Sequence, residues 1–457
     1  MVLDLQRMIR QPSVSARDEG LEECALLLGS MLEDAGLDSE VLHLKPGGRV
    51  GRASGTRAGP PPPPPPPPVV FAERRSESNP DKTLLFYNHY DVQPEEPVEL
   101  WRYGPFDAVR RGNRVYGRGA IDDKGEIAAR IRAVGSYIRE TGDVPCNIKF
   151  VIEGEEEIGS GHLPRYLSRY RRKFACDGVI WEFGYVDPRG RPVVGLGMKG
   201  LMFVELTARG PAGDAHSSLA VLIKNPAWRI VEALSTMRRA DGRITIQGWY
   251  DDVRRLTARD VRLLEAEEFD EASFRREYGV DGFVGGLRGL GAKKALAGAA
   301  TCNIAGISSG YSGSGAKTVL PAVAVAKLDF RLVPDMVPSR QFGLITRHLE
   351  ANGFADVRAR MLHGEAAART DPSEQFVRNV RDAASASFGS EPVVCISNPA
   401  AGPMHAFQKA LGAPCVSVGG TYVFSKIHSP NEFARVDLLK KTAACMCRIM
   451  DVFGRQS

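Results

Sequence analysis

Short apolar runs that end in a histidine or an acidic residue recur along this chain, and they constrain its fold more than any other feature. The first run spans Thr83 to Tyr87, is bounded by polar and proline-rich sequence, and is followed by His89 and Asp91. Such a run predicts a buried strand, and open α/β sheets place their chemistry at the carboxyl ends of strands. Because residues two apart in a strand face the same side, His89 can bind a metal ion while Asp91 orients its imidazole.

A histidine and an acid at this spacing are more often an ordinary surface pair than a metal site, but the next segment adds to the pattern. Gly117 and Gly119 allow a tight turn at which Asp122 lies, and a helix is predicted to begin near Lys124. Asp122 is therefore a candidate metal ligand. The position also suits a helix N-cap, and the residues alone leave both roles open.

Two further apolar runs end in glutamates, and a third leads to a histidine. The run in CNIKFVIEGEEEIGSG ends in Glu155, Glu156 and Glu157, where adjacent carboxylates can serve as metal ligand and general base. Acid runs are often solvated helix faces, but this run directly follows a buried-looking strand. DGVIWEF ends in Glu182, and PCVSVGGTYVFSKIHSPNE runs from an apolar strand through glycines to His428.

Composition excludes some classes of partner. The 457 residues suffice for two or three domains, and the net charge of +5 comes from basic residues interspersed with acidic ones, so no nucleic-acid partner is predicted. The eight cysteines are scattered and lack CxxC spacing, which is typical of reduced thiols in a cytosolic protein. No apolar leader or membrane-length run is present in the sequence, so we expect a cytoplasmic protein without a membrane partner.

The chain is predicted to form a catalytic domain from residues 1–196 and 371–457, with a second domain inserted at 197–370. Alternating strands in GLMFVELTARGP and AVAVAKLDFRLVP, with amphipathic helices in AWRIVEALSTMRRA and SRQFGLITRHLEANGF, favour an α+β insertion. The stretch from Asp251 to Ala300 is charged and is interpreted as irregular. In the first domain, Glu19 to Gly36 predicts a helix, and the nine prolines from Pro60 to Pro68 predict an extended surface loop without a catalytic role.

Taken together, the motifs resemble the co-catalytic zinc metallopeptidase family of carnosinase, cytosolic nonspecific dipeptidase, succinyl-diaminopimelate desuccinylase, acetylornithine deacetylase and aminoacylase. The matching segments are HYDVQP, GRGAIDDKG, EGEEEIGSG, IWEFG, GPAGDAHSS, SGSGAKTVLP with LDFRLVP, and HSPNE. The resemblance implies an α/β zinc-peptidase-like catalytic domain, with a mixed twisted sheet flanked by helices. It also implies that the inserted α+β domain is a lid and dimerisation domain, and that the protein is a homodimer.

The resemblance further implies two Zn2+ ions per subunit, with Mn2+ or Co2+ as alternatives. The implied ligands are His89 and Glu182 for one ion, Glu157 and His428 for the other, and Asp122 as the bridge. Glu156 is the implied general base and Asp91 the implied partner of His89. A cis peptide after Asp122 is also implied.

Three residues of the inserted domain gain implied roles in the same way. His216, in GDAHSS, is expected to reach the active site of the other subunit and stabilise the oxyanion of the tetrahedral intermediate. Thr318 and Arg331 match positions that contact substrate in the dipeptidases, and a guanidinium suits a carboxylate. A structural ion pair is the alternative for Arg331.

Two departures from the dipeptidase pattern affect the substrate. Glu182 replaces an aspartate, and NPAAGPMHAF replaces the serine-containing glycine segment that binds the substrate carboxylate. The predicted function is hydrolysis of the amide bond of a small peptide, with an N-acyl-amino-acid deacylase as the alternative. A metal-free binding homologue is the non-enzyme alternative, and the intact ligand set argues against it.

Overall fold

The computed structural model describes residues 1–45 and 65–455. The helices in these ranges are α1 (Val2–Arg10), α2 (Leu21–Asp34), α3 (Lys124–Thr141), α4 (Leu163–Arg169), α5 (Arg171–Phe174), α6 (Pro226–Met237), α7 (Ala258–Ala266), α8 (Glu271–Tyr278), α9 (Gly289–Gly298), α10 (Pro338–Ala351), α11 (Gln375–Phe388), α12 (Met404–Leu411) and α13 (Val436–Gly454). The strands are β1 (Asp38–Leu42), β2 (Val69–Arg74), β3 (Thr83–His89), β4 (Val109–Arg111), β5 (Arg114–Tyr116), β6 (Asn147–Glu153), β7 (Gly178–Trp181), β8 (Tyr185–Val186), β9 (Val193–Gly195), β10 (Gly197–Met198), β11 (Gly200–Arg209), β12 (Ala215–His216), β13 (Asn303–Ser309), β14 (Val319–Leu320), β15 (Val323–Leu332), β16 (Arg358–Glu365), β17 (Ala368–Arg369), β18 (Val393–Cys395), β19 (Cys415–Ser417), β20 (Thr421–Tyr422) and β21 (Phe433–Arg435).

The chain divides into two compact units. The first contains residues 1–196, 370–395 and 406–457, and the second contains residues 197–369 and 396–405. Residues 396–405 belong to the second unit because Asn398 and Ala400 accept hydrogen bonds from the backbone of Lys199, and Asn398 donates one to Gly197. The two units differ from the predicted domain boundaries in this segment. The role of the second unit as a lid and dimerisation domain stays a prediction.

The first unit is built on an eight-stranded mixed sheet in the order β1-β2-β6-β3-β7-β19-β9-β18. β3 lies inside this sheet, parallel to both β6 and β7, and all of its residues after Thr83 are buried. A strand covered on both faces needs a continuous apolar run, which the sequence around Leu84 supplies. Because the three strands are parallel, their carboxyl ends meet at one edge of the sheet, where the candidate site forms.

Helices and aromatic rings support this sheet edge in the first unit. α3 packs against α1 and α13, and α11 packs against α13. Beneath the strand ends, the ring of Tyr87 stacks on that of Trp181 at 4.1 Å between centroids, and Phe407 packs edge-on against both. The α/β class with a mixed sheet and flanking helices, predicted from the sequence, is confirmed.

The second unit is an α+β structure around a four-stranded antiparallel sheet in the order β13-β15-β11-β16. β11 alternates between buried and half-buried residues, and α6 and α10 pack on the sheet, as the two strand patterns and two helical patterns predict. Trp249 and Phe330 lie in its core.

The interpretation of residues 251–300 as irregular is wrong, because the segment contains helices α7, α8 and α9. Thr257 and Asp260 form a reciprocal capping box that starts α7, and Asp270 caps α8. Around α8, the rings of Phe269, Phe274 and Phe283 pack on one another. Local capping and this small aromatic cluster therefore order a stretch whose charge suggested a loop.

The predicted proline loop falls partly outside the described residues, which resume at Pro65. The last two prolines of the run are anchored, because Tyr166 donates its hydroxyl to the carbonyl of Pro67 and Tyr90 donates to that of Pro68. Within residues 1–45 and 65–455, no helix is long and apolar enough to cross a membrane.

Candidate metal centre

Asp122 lies between two histidines in the first unit. His89 Nε2 is 3.1 Å from Asp122 Oδ1, and His428 Nε2 is 3.0 Å from Asp122 Oδ2. Glu157 Oε2 lies 3.1 Å from His428 Nε2. His89, Asp122 and Glu157 each offer a ligand atom within 4.8 Å of the others. Each carboxylate oxygen of Asp122 thus faces a different imidazole, as a bridging carboxylate requires.

The parallel strands explain why these side chains meet. His89 ends β3, Glu182 directly follows β7, and Glu157 lies on the short 3₁₀ helix Glu156–Ile158, three residues after β6. Their common sheet edge is the place where the sequence patterns predicted a site. Asp122 precedes α3, and the structure gives the N-cap position of α3 to Asp123. The Asp122–Asp123 peptide is cis, as the family resemblance implies.

Asp91 connects the two ends of the site. Its Oδ1 accepts a hydrogen bond from the backbone N–H of Glu156 at 3.1 Å, and its Oδ2 accepts one from that of Glu157 at 3.0 Å. The imidazole Nδ1 of His89 lies 3.1 Å from the Asp91 backbone carbonyl and 3.4 Å from its carboxylate. Asp91 therefore also holds the backbone of the glutamate pair, a contact that was not predicted from the sequence.

The charges of these groups depend on one another. Burial opposes protonation of His89, but hydrogen bonds to Asp122 and Asp91 outweigh it and raise the pKa of the imidazole well above its ordinary value. Hydrogen bonds to Asp122 and Glu157 raise the pKa of His428 to about 10. Burial raises the pKa of Glu156 well above its ordinary value, and the neighbouring Glu182 carboxylate adds to that rise.

The donor set fits divalent ions such as zinc. Imidazole nitrogens and carboxylate oxygens are ordinary zinc ligands. Glu182 is 1 % exposed; its Oε1 accepts from the indole N–H of Trp181 at 3.1 Å, but its Oε2 has no hydrogen-bond partner among the described residues. A buried carboxylate oxygen without a partner is costly, and a cation beside it removes that cost. The described residues thus contain a candidate metal site.

Glu432 supports the Asp122 turn, and the sequence analysis did not identify it. Its carboxylate accepts backbone hydrogen bonds from Gly119 and Ile121, both at 3.0 Å, and from Asp122 at 3.3 Å. It also pairs with Arg118 at 2.8 Å, and both side chains are 1 % exposed. Glu432 therefore ties the HSPNE segment to the turn that carries Asp122. The only sequence signal for this role is that Glu432 lies in the same motif as His428, four residues after it.

His216 and Thr318 lie together on the second unit. β12 pairs with β14, which leaves Thr318 Oγ1 3.5 Å from His216 Nε2. His216 Nδ1 accepts a hydrogen bond from the backbone N–H of Ser218 at 3.2 Å. That bond assigns the proton of a neutral ring to Nε2, so the exposed His216 presents a donor.

Arg331 lies on β15 of the second unit and is half-buried. Within the described part of the chain, no carboxylate forms an ion pair with its guanidinium, so the alternative of a structural pair finds no support there. Glu365 lies two strands away at the same level of the sheet, since Leu201 is the register partner of both residues. Burial raises the pKa of Glu365 to about 7, although the charge of Arg331 opposes that rise.

Comparison with known proteins assigns the family. Residues 85–452 match Peptidase_M20, described as Peptidase family M20/M25/M40. This range covers most of the chain, and the chain belongs to this family. The resemblance predicted from the motifs is confirmed.

Individual relatives are similar to this chain over different lengths. The Cys-Gly metallodipeptidase dug1 of Schizosaccharomyces pombe is 32% identical over 59% of this chain and 57% of its own length. The Beta-Ala-His dipeptidase of Homo sapiens is 30% identical over 60% of this chain and 54% of its own. The chain thus spans somewhat over half the length of these curated relatives. The crystal structure of an M20 family metallo-carboxypeptidase, Sso-CP2 from Sulfolobus solfataricus, superimposes with a TM-score of 0.87 at 34% identity, covering 98% of both chains.

Proposed function

We propose that this protein is a metal-dependent hydrolase that cleaves the amide bond of small peptides, as a dipeptidase does. The observation that carries this proposal is the position of Asp122 between His89 and His428, with Glu156 and Glu157 beside them. The names of the relatives support it, since two are dipeptidases and one is a metallo-carboxypeptidase. The peptide bond of a dipeptide is also a C-terminal peptide bond, so both kinds of name fit one substrate class.

The proposed centre holds two ions, which we propose to be zinc, with manganese or cobalt as alternatives. His89 and Glu182 would hold one ion, Glu157 and His428 the other, and Asp122 would bridge them. When bound, such ions polarise a substrate carbonyl and lower the pKa of a bound water. Glu156 takes the proton of the attacking water and returns it to the leaving amine. The Asp91 carboxylate keeps Glu156 in place by accepting a hydrogen bond from the backbone N–H of Glu156.

The second unit supplies the remaining groups in this proposal. His216 donates a hydrogen bond from its Nε2–H to the oxyanion of the tetrahedral intermediate, and Thr318 lies beside it. Arg331 binds the free carboxylate of the substrate. We also propose a cytoplasmic location, because all eight cysteines are free.

The first test measures metal dependence and substrate class together. The purified protein is expected to contain up to two divalent ions per chain by elemental analysis. It should hydrolyse dipeptides, lose this activity on chelation, and regain it with added zinc, manganese or cobalt, because the proposed hydrolysis requires the bound ions. N-acetylated copies of the same dipeptides provide the matched comparison, since a dipeptidase needs the free amine.

Three outcomes would contradict this proposal. Release of the acyl group from N-acetyl or N-succinyl amino acids, with no cleavage of free dipeptides, would favour the deacylase alternative. Activity that survives chelators in a protein without bound ions would overturn the metal assignment. A protein that binds peptides but cleaves none under any metal would be a binding homologue.

We propose that the protein is a homodimer whose sites are completed by His216 of the other subunit. Exposed apolar side chains that follow His216 along the second unit support an interface, namely Leu219, Val221, Leu222, Trp228 and Val231. Burying such side chains against a second copy removes apolar surface from water. This proposal predicts that each active site needs Glu156 from one subunit and His216 from the other.

A subunit-mixing experiment tests the shared site. Inactive His216→Ala and inactive Glu156→Gln proteins are mixed and allowed to exchange subunits. About half of the dimers are then mixed, and one site in each mixed dimer has only native groups, so about a quarter of wild-type activity should return. The control mixes Glu156→Gln with Asp91→Ala. Both residues belong to the first unit, so each site of a mixed dimer carries one of the two changes and no activity should return. A fully active monomer would rule out the shared site.

A further inference from the structure

Arg130 is a fully buried arginine that the proposed mechanism does not use. It lies on α3, and its guanidinium donates to the backbone carbonyl of Tyr87 at 2.8 Å and to Asn88 Oδ1 at 3.0 Å. It also donates to the backbone carbonyl of Trp181. These acceptors belong to β3 and β7, which are parallel neighbours in the sheet. One side chain thus holds the carboxyl ends of two adjacent strands.

Each of these strands delivers a proposed metal ligand directly after the contact. His89 follows Asn88, and Glu182 follows Trp181. Asn88 extends the network, since its Nδ2 donates to Asp123 Oδ2 at 2.6 Å and lies 3.4 Å from the backbone carbonyl of Glu182. The directions in which these two ligands leave their strands are therefore fixed by the hydrogen bonds of Arg130 and Asn88.

The charges around Arg130 strengthen this arrangement. Asp123, the N-cap of α3, and Glu126 are fully buried; burial raises the pKa of both carboxyls, and the positive charge of Arg130 opposes that rise. Arginine stays protonated in proteins, and buried carboxylates need a nearby cation. Its planar guanidinium can serve several acceptors at once, which the ammonium of a lysine does less well.

Other residues support the remaining ligands. Asp91 holds the backbone of Glu156 and Glu157, and Glu432 holds the turn that carries Asp122. Among the described residues, the acceptors of the Arg130 hydrogen bonds all lie just before His89 or Glu182 in the chain. Partners that orient metal ligands in this way commonly change metal affinity when they are removed.

We propose that Arg130 is a positioning residue that sets the affinity of one of the two metal ions, the one held by His89 and Glu182. The ion held by Glu157 and His428 is expected to depend on Arg130 far less. This inference rests on the proposed metal centre, but it assigns to a residue of α3 a selective effect that the ligand set alone does not predict.

The test measures metal affinity in metal-depleted protein, by titration with zinc in competition with a chromophoric chelator. Arg130→Met should weaken one of two binding steps by roughly 10- to 100-fold and leave the other near its wild-type value. Arg130→Lys keeps the charge but loses part of the hydrogen bonding, so its affinity should lie between wild type and Arg130→Met. The lysine variant also carries the test if the methionine variant does not fold.

Two single-site backgrounds identify which ion is affected. In Glu182→Ala protein the remaining ion is held by Glu157 and His428, and Arg130→Lys should leave its affinity unchanged. In His428→Ala protein the remaining ion is held by His89 and Glu182, and the same change should weaken it roughly 10-fold. The matched control is Tyr137→Phe, which removes a hydrogen bond from α3 to Asp451 and should alter neither binding step.

Equal weakening of both ions by Arg130→Lys, weakening of neither, or the same effect from Tyr137→Phe would overturn the inference. A wild-type protein that binds fewer than two ions would overturn it together with the proposed centre. Two bound ions without peptide cleavage would overturn only the proposed substrate, so the two failures can be distinguished.

Discussion

Glu156→Gln is expected to lower kcat by about 10²-fold or more while the protein keeps its metal, whereas Glu157→Gln is expected to lose metal. The two residues are adjacent, but their surroundings differ. Glu157 Oε2 lies 3.1 Å from His428 Nε2 and accepts a hydrogen bond from Gln93 at 2.9 Å, so it points at the proposed ligands. Glu156 lies on the same 3₁₀ helix, where successive side chains point about 120° apart. Glu156 is therefore expected to point in a different direction from Glu157, and in the proposed mechanism it exchanges a proton with the attacking water.

Steady-state kinetics and elemental analysis on the same preparations separate the two roles. Glu155→Gln is the matched control, because the Glu155 carboxylate is turned towards His162, 2.9 Å from its Nδ1. This third variant should keep both metal and activity. If Glu156→Gln loses metal and Glu157→Gln loses only kcat, the register of the glutamate run is wrong by one residue.

The strand patterns predicted the position of the candidate site because they record local burial. The run before His89 is apolar since β3 is covered on both faces, and a parallel neighbour must end at the same edge. The sequence therefore sufficed to predict the sheet edge at which His89 and Glu182 lie. The relation between Asp122 and His428 came only from the family resemblance, because 306 positions of sequence separate them.

The supporting residues could not be found in the same way. Glu432 binds a turn more than 300 positions earlier in the chain, and no local pattern reports such a contact. Lys124, Glu126 and Arg130 are charged residues of α3, which amphipathic reasoning assigns to a solvated face, yet all three are fully buried. Their burial is tolerated because Lys124 and Arg130 donate to backbone carbonyls and Glu126 accepts from the backbone N–H of Gly420, and these contacts exist only in the folded chain.

The misassigned stretch 251–300 shows the opposite case. Its capping residues, Thr257 and Asp260, stand at the spacing of a capping box, so a helix start was readable. The abundance of charged residues nevertheless favoured a loop. A short polar helix has few apolar residues, so its sequence lacks a clear amphipathic pattern. The aromatic contacts that order α8 depend on the fold of the segment itself.

Arg331→Ala is expected to lower kcat/KM by roughly 10²-fold for substrates with a free C-terminal carboxylate, and much less for the matching amides. Removing one partner of a charge-assisted hydrogen-bonded pair costs a few kcal/mol, which corresponds to this factor. Among the described residues, Arg331 forms no ion pair with a carboxylate, and its proposed partner is the carboxylate of the substrate. Glu365 lies at the same level of the sheet, and the charge of Arg331 opposes the burial-driven rise of its pKa without forming an ion pair with it.

The measurement compares a dipeptide with its C-terminal amide in wild type, Arg331→Ala and Lys327→Ala. Lys327 is an exposed cation on the same strand, four residues before Arg331 and therefore on the same face of the sheet. Its removal should leave the ratio of acid to amide activity at the wild-type value. Because an amide carries no charge for a guanidinium to pair with, a substrate-binding arginine must show a preference that disappears in the variant. Equal loss of activity on acid and amide in Arg331→Ala would mean that this arginine stabilises the fold of the second unit instead.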